Sequence, residues 1–146
     1  MLDLPHHSHS FDFAISIAAV HHLSTPGRRI EAIISILDTL KPGGKVLIYV
    51  WALEQESSRR GWTEHDEQDV MVPWVKRESK KERRAAAEAG HKPDGQSIDG
   101  CDKTFHRYYH LYRKCELEHD VQAAGGEVVE AGYEKDNWWA VATPNA

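Results

Sequence analysis

The chain has 146 residues, with 18 Lys and Arg against 23 Asp and Glu, ten His, two Cys and 40 % hydrophobic content. That is the size of one ordinary domain, able to bury a core without disulfides or metals. A formal charge of −5 excludes the uniformly basic surface of a nucleic-acid-coating protein, so any RNA contact has to be local.

Phe11 to Val20 reads FDFAISIAAV, a run too short for a typical helix and too evenly apolar for a strand with one wet face, which predicts a buried parallel strand over Phe11 to Ile17. Ser24-Thr25-Pro26 offers a hydroxyl N-cap followed by proline at the first helical position. Ile30, Ile33, Ile34, Leu37 and Leu40 then recur at helical spacing, with Arg28, Arg29, Glu31, Ser35 and Asp38 on the other faces. Lys41-Pro42-Gly43-Gly44 ends the helix, and Lys45 to Trp51 is a second buried strand. Two buried strands joined by a helix of about fifteen residues form a crossover unit, hence a parallel sheet of α/β class. Ligands of such sheets bind beyond the carboxyl ends of the strands, which points to His21-His22 and to Ala52 to Arg60.

Residues 52–104 break this pattern: a polar stretch, the apolar island MVPW, and six basic residues from Lys76 to Arg84. They read as a partly disordered insertion between a 1–51 core and a 105–146 helix and hairpin. The basic run fits a phosphate-binding arm or, with Glu78 and Glu82 interrupting it, a solvated linker. Tyr108, Leu111 and Tyr112 lie at helical spacing. Leu117, Val121 and Ala124 mark a helix stopped by Gly125-Gly126, and Glu127 to Tyr133 and Trp138 to Thr143 are strands joined by the turn-rich Glu134 to Asn137. Cys101 and Cys115 have no metal or disulfide spacing, and three histidines among His6 to His9 lack a fourth ligand, so no metal site is expected. The longest apolar stretch falls far short of the roughly 20 residues of a membrane span. With no leader pattern after Met1, the expected location is cytosol or nucleus.

Five strings carry a resemblance: FDFAISIAAVHHLS with RRIEAI (11–33), LIYVWALEQESSRRG (47–61), EQDVMVPWV (67–75), FHRYYHLYR (105–113) and AGGEVVEAGYEKDNWWAVA (124–142). Together they resemble the tRNA wobble-uridine carboxymethyl methyltransferases, found free-standing or fused to an AlkB-like dioxygenase. The resemblance implies the carboxyl-terminal half of a Rossmann-like class I methyltransferase sheet ending in an antiparallel hairpin. It also implies S-adenosyl-L-methionine as cofactor, the tRNA anticodon stem-loop as substrate and a small zinc-binding activator protein as partner. The family's Gly-rich cofactor loop and the acidic residues for ribose and adenine precede the position of Phe11, and none of the ten glycines here forms G-x-G. A truncated, inactive fragment that binds tRNA or protein is therefore the alternative expectation.

The implied reaction esterifies the carboxylate of 5-carboxymethyluridine. That nucleophile is already an anion, so positioning and exclusion of water replace a general base. Arg59 and Arg60 suit the anchoring task because a guanidinium binds a carboxylate through two charge-assisted bonds; Ser57 and Ser58 assist. His21 is expected at the catalytic centre, and Ala18, Ala19, Val20 and His22 along the cofactor wall. RNA contact falls to His106, Arg107, His110 and Arg113, whose segment interleaves cations with aromatics, and to Asn137 and Trp138 beside the base.

Overall fold

A computed structural model describes residues 6–58, 61–76 and 103–145. The chain divides into two compact units, Met1–Val70 with Tyr108–Ala146, and Met71–Arg107. The first holds a four-stranded sheet in the order β1-β2-β6-β5. Its strands are β1 (Phe11–Ile17), β2 (Leu40–Trp51), β5 (Gly126–Glu134) and β6 (Asn137–Pro144), with helices α1 (Pro26–Asp38) and α2 (Glu116–Ala123). A 3-10 turn, Val20–His22, follows β1. Strands β3 (Asp69–Lys76) and β4 (Lys103–His110) form a separate two-stranded sheet.

β1 runs parallel to β2, and β6 runs antiparallel to both β2 and β5. The strand, helix, strand unit and the terminal hairpin are thus as the sequence predicts. Thr25 caps α1 by accepting the Arg28 amide at 3.3 Å, with Pro26 opening the helix. The core gathers Ile33 and Leu37 of α1, Leu40, Val46, Ile48 and Val50 of β2, and Leu117 and Val121 of α2, all buried, with Ala140 and Ala142 of β6. Gly132 gives Trp139 its place, since a Cβ there would lie 2.7 Å from the indole ring.

Four expectations need correction. β1 is parallel but not buried: it is the sheet's outer strand in the described chain, and Phe11, Phe13, Ile15 and Ile17 are 39–61 % exposed on its uncovered face. The Lys41-Pro42-Gly43-Gly44 run does not stand apart as a helix stop. β2 begins at Leu40 and absorbs it, with Gly43 at φ 76° and the β1–β2 register shifting between Phe11 and Phe13. Arg29 and Ser35 are buried on the inner side of α1, because α2 brings acidic side chains to meet the guanidinium and the Ser35 hydroxyl bonds the Glu31 carbonyl one turn back. Finally, the aromatic-basic segment at 103–110 is a strand rather than a helical face; its β-branched and aromatic residues favour the pleated backbone. Within the second unit, Trp74 of β3 packs near Phe105 and lies under the Arg107 guanidinium at 5.5 Å. Most of the predicted insertion, including the run from Arg77 to Arg84, lies outside the described residues.

Candidate active site

Parallel pairing of β1 with β2 puts their carboxyl ends on one edge of the sheet, and antiparallel pairing of β6 brings its amino end to the same edge, with Asn137 opposite Trp51. The Ala18–His22 turn, the Ala52–Ser58 loop and the Lys135-Asp136 hairpin turn therefore converge there, at the place where open α/β sheets bind ligands.

The segment after β4 is fastened to this edge. Tyr112 donates its amide to the Trp51 carbonyl at 2.9 Å, and Leu53 donates to the Tyr112 carbonyl at 2.9 Å. Tyr109 stacks on Trp51, with centroids 4.2 Å apart and planes 13° apart. His22 donates Nδ1–H to the Tyr108 carbonyl at 2.9 Å. His21 is fully buried, and its Nδ1 accepts the Trp51 amide at 3.0 Å. The proton of a neutral ring then sits on Nε2, which has no partner among the described residues. Burial, reinforced by neighbouring His22, pushes its pKa down to about 3. His21 is thus a neutral bracket behind Trp51 in this structure, without an exposed face for a substrate.

The hairpin turn is a second fixture. Lys135 and Asp136 both adopt positive φ, 48° and 63°, the primed-turn conformation that non-glycine residues resist. Asp136 is held there by its bonds: Oδ1 accepts the amides of Glu56 at 2.9 Å and Ser57 at 3.0 Å and the Tyr133 hydroxyl at 2.9 Å. Burial works against ionisation of this carboxyl, but those donors outweigh it and hold its pKa below the usual range. The same turn binds the Ala52 amide through the Asp136 carbonyl at 3.0 Å. Between turn and loop lies a pocket of about 290 Å³ lined by Trp51, Gln55, Ser58, Trp62, Lys135, Asp136 and Asn137.

Of the residues the sequence singled out, Asn137 lines this pocket. Trp138, the next residue on the strand, faces the other way: it packs against the core and donates Nε1–H to Glu54 at 3.3 Å. Arg59 and Arg60 lie outside the described residues, although the loop leading to them is anchored through Ser57. Ala18 and Ala19 are exposed at the tip of β1, with Ala18 at φ 54°, while Val20 is buried. Arg113 is exposed in the first unit, and His106 and Arg107 are exposed in the second. His110 is 5 % exposed and bonded to the Asp69 and Glu116 carboxylates, so it sits within an ionic network instead of on an open RNA face. Sequence reasoning pointed to the Ala52–Arg60 loop without singling out Gln55, and missed Trp51, Trp62 and Asp136; only the tight turn at Glu134 to Asn137 hinted at the last.

A cofactor wall can be tested against the groove beside Ala19. It has a volume of about 250 Å³ and is lined by Ser16, Ala19, Val20, Leu23, Ala32, Ser35 and Ile36, an almost wholly apolar surface. That chemistry fits a flat ring or hydrocarbon edge, not the charged amino-acid end of S-adenosylmethionine. Among the described residues the fit is therefore one-sided.

The fold is that of the class I methyltransferases. A solved SAM-dependent methyltransferase from Methanosarcina mazei matches it with a TM-score of 0.60 at 14 % identity, over 97 % of this chain and 63 % of that one. A family model described as a methyltransferase domain matches residues 1–48. Along nearly its whole length the chain is similar to proteins named tRNA (carboxymethyluridine(34)-5-O)-methyltransferase. It is 47 % identical to the one from Schizosaccharomyces pombe over 99 % of this chain and 61 % of that protein. It is 42 % identical to the one from Saccharomyces cerevisiae over 97 % of this chain and 65 % of that protein. The chain thus spans somewhat under two thirds of the length of each of these two relatives.

Proposed function

We propose that the chain takes part in methyl-ester formation on 5-carboxymethyluridine at the wobble position of tRNA, with S-adenosylmethionine as methyl donor. The observation that carries this reading is the convergence of three loops on one sheet edge, in a chain 47 % identical to a protein of that name. When bound, the donor supplies an electrophilic methyl. This chain's residues orient the nucleophile and keep water away from it.

A carboxylate needs no proton removed at neutral pH, so the work is alignment, where proximity supplies roughly 7–11 kcal/mol. Arg59 and Arg60, reached through a loop pinned by Asp136, steer the carboxylate by paired hydrogen bonds. Ala18, Ala19 and Val20, with the groove beside them, give an apolar wall for the nucleoside part of the donor, and His22 follows in the same turn. His21 acts by fixing Trp51. Arg113, Arg107 and His106 contact the RNA backbone, Asn137 the base, and Trp138 holds the hairpin in place. A small zinc-binding activator protein is the proposed partner.

The test is transfer of labelled methyl from S-adenosylmethionine to carboxymethylated tRNA. Arg59→Ala with Arg60→Ala should reduce transfer at least 100-fold. Full activity in that double variant would remove the assignment. A second reading, RNA binding without catalysis, is favoured by the one-sided fit of the cofactor groove. Calorimetry with S-adenosylmethionine separates the two, since micromolar binding by the 146-residue chain contradicts the second.

A further inference from the structure

We infer that Glu116 is a positioning residue for the candidate active edge: its carboxylate gathers donors around the His110–Arg113 segment and so sets Tyr109 against Trp51, without itself lining the pocket. The inference rests on the functional reading above only in taking this edge as the reacting one.

Glu116 opens α2, directly after Cys115 at φ 67°. The chain folds back there, so that the Glu116 amide donates to the Arg113 carbonyl at 3.1 Å while its Oε2 accepts the Arg113 amide at 3.0 Å. The same oxygen accepts Gln68 Nε2–H at 2.6 Å, and Oε1 accepts His110 Nε2–H at 2.7 Å. Donors from before β3, from the end of β4 and from the turn ahead of α2 thus converge on two oxygens. Only a carboxylate accepts on both sides, since an amide of the same shape would turn its NH2 against a donor. Burial resists the charge, but these donors hold the Glu116 carboxyl below its usual pKa range.

The segment held in this way is the one fastened to the end of β2. Gln68 ties it a second time, donating Nε2–H to the Leu111 carbonyl at 3.0 Å and accepting the Leu111 amide through its own carbonyl at 2.7 Å. Leu111 and Tyr112 are fully buried, and in a close-packed interior a displacement is passed on to its neighbours. Tyr109 is the neighbour that matters, because its ring stacks on Trp51, a wall of the pocket. A misplacement of about 1 Å that begins far from the chemistry can cost roughly 100-fold in rate.

The experiment records proton–nitrogen correlation spectra of the 146-residue chain. Trp51→Phe assigns the Trp51 indole N–H signal, and Tyr109→Leu marks its unstacked position. Glu116→Gln should move that signal more than halfway towards the unstacked position while the rest of the spectrum stays dispersed. A Trp51 signal that stays in place in folded Glu116→Gln overturns the inference, even if the variant melts earlier. Gln68→Met, which removes one donor and leaves the carboxylate, should move the signal the same way by less. If Glu116→Gln does not fold, this variant decides, and an unmoved signal in it overturns the inference. In methyl transfer, Glu116→Gln should lower kcat/KM for carboxymethylated tRNA roughly tenfold or more; a moved signal with unaltered kcat/KM also overturns it. The two readings fail separately: a moved signal in a chain that transfers no methyl counts against the enzymatic reading alone, and methyl transfer with an unmoved signal counts against this one alone.

Discussion

His110 presents Nε2 to the Glu116 carboxylate at 2.7 Å while its Nδ1 faces Asp69 at 2.8 Å. Satisfying both carboxylates requires both nitrogens to donate, which only the imidazolium does. Burial opposes the charge, but the bonds to Glu116 and Asp69 outweigh it and raise the pKa above its ordinary value. A raised histidine pKa stabilises the fold fully below about pH 6.5, and that stabilisation is lost as pH climbs through the folded-state value. His110→Gln, with one donor group in place of two, should cost roughly 1.5–3 kcal/mol at pH 6. It should also flatten the alkaline limb of a urea-midpoint profile between pH 6.5 and 9; an unchanged limb would contradict the assignment.

His21 has the opposite sign. Its pKa is depressed to about 3 by burial and by His22, so the folded chain holds the ring neutral while the unfolded chain protonates it below about pH 6.5. Its contribution is complete above pH 6.5 and is lost progressively as pH falls towards 3. His21→Phe keeps the ring volume but orphans the Trp51 amide, at a cost of about 1–3 kcal/mol. The slope of stability against pH between 6 and 4 should become shallower by close to one proton, as measured from unfolding midpoints across that range.

The legible parts of this molecule are those governed by local pattern. Thr25-Pro26 announces α1, Gly125 stops α2, and the Lys135-Asp136 turn joins the two expected strands. What spacing does not reveal is which polar residue has a partner distant in sequence. Arg29 looks solvated until Glu116 and Asp120, nearly ninety positions away, are brought to 3.7 and 3.8 Å. His110 looks like an RNA contact until Asp69 and Glu116 enclose it. The uniformly apolar character of β1 is legible, but not that its face stays uncovered here. The pocket joins Trp51, Trp62 and Asn137 across 86 positions, and nothing local to any of them signals the others.

That uncovered face has a measurable consequence. Phe11, Phe13, Ile15 and Ile17 present a contiguous apolar stripe on an outer strand, an arrangement prone to association. Ile15→Lys, at 60 % exposure, should leave the melting temperature within about 2 °C, since a surface change is usually worth less than ~0.5 kcal/mol. It should raise the concentration at which light scattering begins. Earlier onset of scattering would show that the stripe is not the cause.

Asp136 links the strained turn to the loop leading towards Arg59. Asp136→Ala removes the acceptor of the Glu56 and Ser57 amides while leaving positive φ at that position to a residue that resists it. Hydrogen exchange at those two amides should accelerate at least tenfold. Exchange in the middle of β2, whose bonds do not involve the turn, should change little. In the enzymatic reading methyl transfer falls with it, while Asp136→Asn, which keeps an acceptor oxygen, recovers part of both.

Arg29 supports the base of the site from α1. Its guanidinium lies 5.6 Å from the centre of the Tyr112 ring, between Glu116 and Asp120, with Nε 3.8 Å from the Asp120 carboxylate and without a hydrogen bond among the described residues. Tyr112 in turn donates its hydroxyl to Asp120 at 3.0 Å. Removing the cation alone leaves the Asp120 carboxylate without its ionic partner in a buried setting, while Glu116 keeps His110, a loss of about 3–5 kcal/mol. Burial already raises the Asp120 pKa, and without Arg29 it should rise further, so Arg29→Met should be least destabilising in mild acid, where Asp120 can protonate. Adding Asp120→Asn neutralises the orphaned charge while preserving an acceptor for Tyr112. The double variant should therefore be more stable than Arg29→Met alone at pH 7, with a coupling energy above about 1 kcal/mol in a denaturation cycle. Simple additivity would show that Arg29 serves packing against Tyr112 and not charge balance.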